Sequence, residues 1–159
     1  MKADPIKVLF ICSANSARSQ MAEALLRKRG GDAFEVHSAG LESAGVHSMT
    51  IRALDEIGVD WSEAESTKLE SLIGRVYFDY PTIVCAGEAE KCPRLYPSAR
   101  HVLKWPFDDP AAETGDEAKQ LAAFRRVRDK IDARLSTWLE ELRSSGLAEG
   151  DRLADMIGR

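Results

Sequence analysis

No stretch of this 159-residue chain approaches the ~20 consecutive apolar residues that a membrane span requires, so a membrane protein is not expected. A signal-peptide pattern is missing too. In "MKADPIKVLFIC" the apolar core is too short, and Asp4 and Pro5 precede it. The expectation is a cytoplasmic protein. Excess basic charge is also lacking: the net charge is −4, with no clustered basic face of the kind a nucleic acid needs. Arg125, Arg126 and Arg128 form the densest basic group, and such runs ordinarily face water on a helix. Repeats, low-complexity segments and linkers are absent. Cysteine is scarce, with only Cys12, Cys85 and Cys92. An odd count among thiols that a cytoplasm keeps reduced argues against permanent disulfides and gives weight to catalytic or redox roles.

What is present reads as one α/β domain, residues 1–145, followed by a tail, 146–159, with no strong signal. Lys7 to Ile11 is a short continuous apolar run, the mark of a buried strand. Ser16 to Lys28 predicts a helix, with Met21, Ala22 and Leu25 on one face and Gly30-Gly31 as its stop. Phe34 to Ala39 predicts a second strand, Ser48 to Ile57 a helix, and Thr67 to Ile73 a short helix. Thr82 to Cys85 predicts a third strand and Arg100 to Leu103 a weaker fourth. Leu121, Phe124, Val127, Ile131, Leu135, Trp138 and Leu142 then recur at helical spacing, a core-facing stripe on the last helix. Strands alternating with helices imply a three-layer α/β/α fold around a four-stranded parallel sheet. Ligands in such sheets bind beyond the carboxyl ends of the strands, where both Cys12 and Cys85 fall.

The stretch "VLFICSANSARSQMAEALL" places Cys12 where a strand stops and a loop opens. A tight loop over Ser13, Ala14, Asn15, Ser16 and Ala17 turns successive N–H groups toward one point, which makes an anion cradle. The helix that begins near Ser16 adds its free N–H groups and its partial positive charge. Arg18 supplies a planar fork suited to two oxygens of a tetrahedral oxyanion. The same field suits a thiolate nucleophile at Cys12, and Ser19 closes the oxyanion-binding stretch from Ser13 and is placed to donate to the sulfur. Cys-x5-Arg-Ser directly after a strand and opening a helix is a specific pattern for oxyanion chemistry.

"CAGEAEKCP" holds Cys85 and Cys92 seven positions apart. On a continuous helix they would sit ~10 Å apart along the axis, so they pair only if the segment folds back. Ala86, Gly87 and Ala89 make that feasible. Zinc is a weaker use, because the spacing is not Cys-x2-Cys and a fourth ligand is missing nearby. "WPFDDPAAE" supplies two adjacent carboxyls, Asp108 and Asp109, before a proline. They suit a general acid for a leaving oxygen, or simply a turn that opens the last helix. His37, His47 and His101 have no constellation around them and default to packing or solvent.

"VLFICSANSARSQMAEAL" resembles the phosphate-binding loop of the low-molecular-weight protein tyrosine phosphatase superfamily, and "CSANSARSQMAE" its thioredoxin-coupled arsenate reductase branch. The similarity runs through "VHSAGLES", "IVCAGEAEKCP" and "WPFDDPA" to "FRRVRDKI", roughly Lys7 to Leu142. The resemblance implies Cys12 as nucleophile, Cys85 as resolving thiol, Cys92 as final thiol, and Asp109 as general acid with Asp108 as runner-up. It implies arsenate as substrate, phosphate as a competing oxyanion, and thioredoxin as reductant, with no cofactor. Residues matching Asn15, Glu23 and Ser38 help bind potassium in some relatives. The further acidic ligand falls at Thr67 or a neighbour here, so no metal is assigned. Ala14 stands where the family often has glycine, which would strain the loop if that residue needs a positive φ. Ala17 replaces a spare cysteine, and Ala111 and Ala112 replace the aromatics that flank a tyrosine substrate. A phosphatase of the same fold and a non-enzymatic oxyanion or redox sensor are the alternatives.

Overall fold

The computed structural model describes residues 4–86 and 101–145. Cys92 and the predicted tail, 146–159, lie outside them. The elements run β1 (Ile6–Cys12), α1 (Arg18–Gly30), β2 (Phe34–Gly40), α2 (Ser48–Asp55), β3 (Tyr80–Cys85), β4 (Leu103–Phe107) and α3 (Glu117–Ser145). The strands form one parallel sheet in the order β2-β1-β3-β4. The chain leaves β1 for one edge and later returns to its other side. β1 and β3 therefore flank the topological switch point, where the carboxyl ends of the strands open a crevice.

Period-two alternation in β1 divides the core. Val8 and Phe10 face a large cluster with Met21, Leu25 and Leu26 of α1 and Phe124, Ile131 and Leu135 of α3. Leu9 and Ile11 face the opposite side, where Leu69 and Phe78 cover them. The apolar stripe of α3 is buried as the periodicity requires, from Leu121 to Leu142. Burying a Leu or Phe side chain contributes ~1.5–3 kcal/mol, so this stripe anchors the strands that carry the site.

Several boundaries differ from the sequence expectation. The fourth strand is Leu103–Phe107 rather than Arg100–Leu103, and only Trp105 within it is buried. An edge strand with so few buried positions carries little hydrophobic signal. The expected helix over Thr67 to Ile73 reduces to a 3-10 turn at Leu69–Ser71, since Lys68 instead bridges to Gly40. α1 begins at Arg18 rather than Ser16, because residues up to Ala17 are spent on the loop. The basic group on α3 is not merely a solvated face. Arg128 is buried, donates to the Ala53 carbonyl and pairs with Glu56, which Arg125 also holds.

Candidate active site

The loop between β1 and α1 has all its carbonyls turned outward. The Cys12 carbonyl accepts from Leu41 N, that of Ser13 from Glu42 N, that of Ala14 from Ala44 N, and that of Ser16 from His47 N. Thr50 Oγ1 also donates to the Ser16 carbonyl, and Ser66 Oγ to that of Asn15. The segment after β2 thus runs alongside the loop and takes its acceptors one by one. Buried backbone groups must be paired, so this leaves the N–H groups on the inner side. The N–H groups of Ser13, Ala14, Ser16 and Ala17 have no protein acceptor among the described residues. α1 continues the cradle, since Ala17 at its N-cap offers no side chain to its first N–H groups.

The tight course of the loop depends on two residues. Asn15, at φ 51°, is the single non-glycine residue with positive φ among the described residues, a conformation that asparagine tolerates. The strain expected at Ala14 therefore does not arise. Gly40, the register partner of Cys12, touches the loop backbone directly. A Cβ there would sit 2.6 Å from Asn15 N and 2.9 Å from Ala14 C.

Cys12 Sγ lies at the floor of the cradle, 2.8 Å from Ser19 Oγ, and accepts from Asn15 N at 3.2 Å. Asn15 Nδ2 donates to Ser19 Oγ at 2.8 Å and to Ser38 Oγ at 3.0 Å. The Ser19 hydroxyl keeps its hydrogen available for the sulfur, which accepts it when Cys12 is a thiolate. Ser38 in turn donates to Glu23 Oε1 at 2.6 Å, and the other Glu23 oxygen pairs with Arg27. Burial pushes the Glu23 carboxyl above its ordinary value, against the pull of Ser38 and Arg27. Among the described residues no group of three or more His, Cys, Asp or Glu could hold a metal ion.

Arg18 is buried, and its Nη1 donates to the Phe107 carbonyl at 3.0 Å. This bond ties the cradle to the end of β4, so Asp108 and Asp109 follow one and two residues after the contact. Asp109 Oδ1 accepts from Ala111 N at 3.0 Å and caps a 3-10 turn over Pro110–Ala112. The turn-opening role of this carboxyl is thus present, and its Oδ2 has no protein partner among the described residues. Asp108 is exposed.

Cys12 is free, whereas Cys85 is disulfide-bonded. Ile11 pairs with Ile83, so Cys12 and Cys85 end adjacent strands. Regular strand spacing and rise separate two such Cα atoms by about 6 Å, within the range a disulfide spans. The pairing of β3 with β4 shifts register between Ile83 and Cys85, an irregularity that re-aims side chains at a strand end.

Behind the loop lie residues that no local motif marks. Gln20 is fully buried and donates to both oxygens of Asn15, Trp61 donates to Gln20, and Thr67 N donates to Asn15 Oδ1. A buried polar residue inside an apolar helical pattern was the one available signal, at Gln20. His47 was expected only to pack or face solvent. It also caps α2 through Nδ1, which accepts from Met49 N.

At its switch point the parallel sheet thus carries a cysteine within an N–H cradle, beside a buried arginine. The sequence matches the profile of the low molecular weight phosphotyrosine protein phosphatase family over residues 7–147, and the chain belongs to that family. It is 40% identical over 134 residues to an arsenate reductase of Halalkalibacterium halodurans, covering 84% of this chain and 94% of that protein. Its structure resembles an arsenate reductase in the phosphate binding state, with a TM-score of 0.72 and 29% identity, over 86% of this chain and 98% of that one. It also resembles a thioredoxin-dependent arsenate reductase of Corynebacterium glutamicum, with a TM-score of 0.63 and 30% identity, over 90% of this chain and 65% of that one.

Proposed function

We propose that this protein reduces arsenate to arsenite through Cys12, Cys85 and Cys92, with thioredoxin as the dithiol reductant. One observation carries the reading: a free Cys12 sulfur faces two donors inside a cradle of unpaired N–H groups, one strand away from Cys85. Arsenate has the shape and charge of phosphate, so such a cradle with Arg18 accepts it.

Three thiolate attacks compose the scheme. The Cys12 thiolate attacks arsenic and forms a sulfur–arsenic bond, while a hydroxyl leaves as water with a proton from Asp109. The Cys85 thiolate then attacks the Cys12 sulfur. The sulfur–arsenic bond breaks, its electron pair stays on arsenic, and arsenite departs from a Cys12–Cys85 disulfide. Cys92 attacks Cys85 and frees Cys12. The resulting Cys85–Cys92 disulfide is reduced by the external dithiol. Support for the second and third thiols comes from Cys85 being disulfide-bonded while Cys12 is free.

A phosphatase reading needs only Cys12, Arg18 and Asp109, and family membership favours weak aryl-phosphate hydrolysis by the same site. The small side chains of Ala111 and Ala112 beside Asp109 favour an inorganic substrate over a tyrosyl one. The deciding assay is arsenate-dependent NADPH consumption with thioredoxin and thioredoxin reductase, set against aryl-phosphate hydrolysis. Cys12→Ser abolishes both activities in this scheme. Substantial arsenite production by that variant would rule out the nucleophile.

A further inference from the structure

The polar chain behind the loop has a direction that its chemistry fixes. The indole N–H of Trp61 can only donate, and it donates to Gln20 Oε1 at 2.8 Å. The Gln20 amide is thereby oriented with Nε2 toward Asn15. It reaches Asn15 Oδ1 at 3.0 Å and the Asn15 carbonyl at 3.2 Å, with Glu65 O at 3.1 Å. Thr67 N, also donor-only, reinforces the same Asn15 Oδ1 at 2.7 Å. The Asn15 amide must then present Nδ2 to Ser19 Oγ, and a Cys12 thiolate, which can only accept, takes the Ser19 hydroxyl hydrogen. Gln20 also holds the main chain of the positive-φ residue whose N–H is the second donor to that sulfur. Both hydrogen bonds received by the sulfur therefore pass through Asn15, and Gln20 grips Asn15 at both of its oxygens.

We propose that Gln20, anchored by Trp61, is a positioning residue that aims the Ser19 hydroxyl and the Asn15 N–H at the Cys12 sulfur. It acts on the reactivity of the thiol rather than on oxyanion capture. The carbonyls of Cys12, Ser13, Ala14 and Ser16 are held by the segment over residues 41–47, independently of Gln20. The Asn15 carbonyl, whose peptide carries the Ser16 N–H of the cradle, keeps the hydrogen bond from Ser66 Oγ as a second anchor when Gln20 is changed. The inference rests on Cys12 being the nucleophile, and the test reads that point separately.

The test compares Gln20→Met, Gln20→Glu and Trp61→Phe with the parent protein, all fully reduced, at one pH. Met keeps the length without polarity. Glu keeps an acceptor for Trp61 but sets a carboxylate against the two Asn15 oxygens. Phe keeps a ring without the N–H. Two quantities are measured: the rate of Cys12 alkylation by iodoacetamide, located by peptide mass spectrometry, and the dissociation constant of inorganic phosphate by calorimetry. Loss of donors to a charged sulfur predicts Cys12 alkylation slowed about tenfold in Gln20→Met, more in Gln20→Glu and less in Trp61→Phe. Phosphate affinity should change no more than about twofold in Gln20→Met and Trp61→Phe, since the cradle itself is held elsewhere. Parallel loss of alkylation rate and phosphate affinity would overturn the proposal and make Gln20 a structural support for the whole loop. So would parent-like alkylation in Gln20→Glu. A parent Cys12 that alkylates no faster than an exposed unactivated thiol sinks the nucleophile reading instead.

Discussion

Ser19 Oγ lies 2.8 Å from Cys12 Sγ while accepting a hydrogen bond from Asn15 Nδ2. One hydroxyl on the first turn of α1 thus links the proposed nucleophile to the amide that shapes its loop. A hydrogen bond to a charged group contributes ~1.5–3 kcal/mol, so Ser19→Ala should slow Cys12 attack on arsenate by at least about tenfold in single-turnover measurements. Phosphate binding should be nearly unchanged, because alanine keeps the Ser19 backbone N–H at the start of α1 and removes only the hydroxyl. An unaltered single-turnover rate would show that the hydroxyl serves packing alone.

Asp109 and Asp108 are separable by the bond that Asp109 makes. Its Oδ1 caps Ala111 N, and asparagine keeps that acceptor, so Asp109→Asn should retain the fold while losing the acid. We expect arsenic–sulfur bond formation to slow ~10²-fold or more, the usual scale for a general acid. Asp108→Asn, at an exposed position, should cost less. A reversed ranking in rapid-quench experiments would move the acid to Asp108.

Gly40→Ala tests the close approach that shapes the cradle. The added Cβ would meet Asn15 N at 2.6 Å, and the obstacle is backbone on both sides rather than a flexible side-chain end. The loop must move. Both phosphate affinity and Cys12 reactivity should fall together, with a lowered Tm. A variant with normal phosphate binding by calorimetry would contradict the cradle geometry given above.

How much of this was legible beforehand follows the physics of each signal. The Cys12 loop and the α3 stripe could be read because their determinants are local: a strand end, a spacing to Arg18, a period of 3.6. Asn15 was legible as a loop residue, but not its left-handed backbone, because asparagine takes that conformation only where the surrounding fold imposes it. Gln20, Gly40, Trp61 and Thr67 were not legible as site residues. Their roles depend on tertiary approach, such as the hydrogen bond from Trp61 to Gln20 across 41 positions. The burial of Arg128 was hidden for the same reason, since Glu56 and the Ala53 carbonyl come from a different helix and its end.

The Glu56 carboxyl supplies a pH prediction. Its hydrogen bonds with Arg125, followed by those with Arg128, hold it at about 2, below the ordinary 4.5. A depressed folded value stabilises the fold above the unfolded value, and the contribution is lost as pH falls from 4.5 toward 2. The thermal midpoint should therefore decline over that acid window, and Glu56→Gln should flatten part of the decline. The effect is modest, because Glu56 is 33% exposed and solvent screens the pair. Calorimetric scans from neutral pH into that window check it. An acid limb identical in both proteins would remove Glu56 from the account.

The sharpest separation of reductase from phosphatase lies in the two distal thiols. Aryl-phosphate hydrolysis needs one nucleophile, so Cys85→Ser should preserve it and stop arsenate reduction, because nothing then attacks the Cys12 sulfur to leave the electron pair on arsenic. Cys92→Ser should behave differently. Cys85 can still attack, so about one arsenite per enzyme should form before the protein stalls with Cys12 joined to Cys85. The two cysteines end adjacent strands, and the register irregularity at Ile83 to Cys85 lies where the Cys85 side chain must turn toward Cys12. Mass spectrometry after a single turnover reads the outcome directly. The parent should carry Cys85–Cys92 with Cys12 free, and Cys92→Ser should carry Cys12–Cys85. Repeated turnover of Cys92→Ser with thioredoxin would make the third thiol dispensable. Three free thiols in the parent after arsenite release would refute the relay altogether and leave the single-cysteine phosphatase chemistry as the function of this loop.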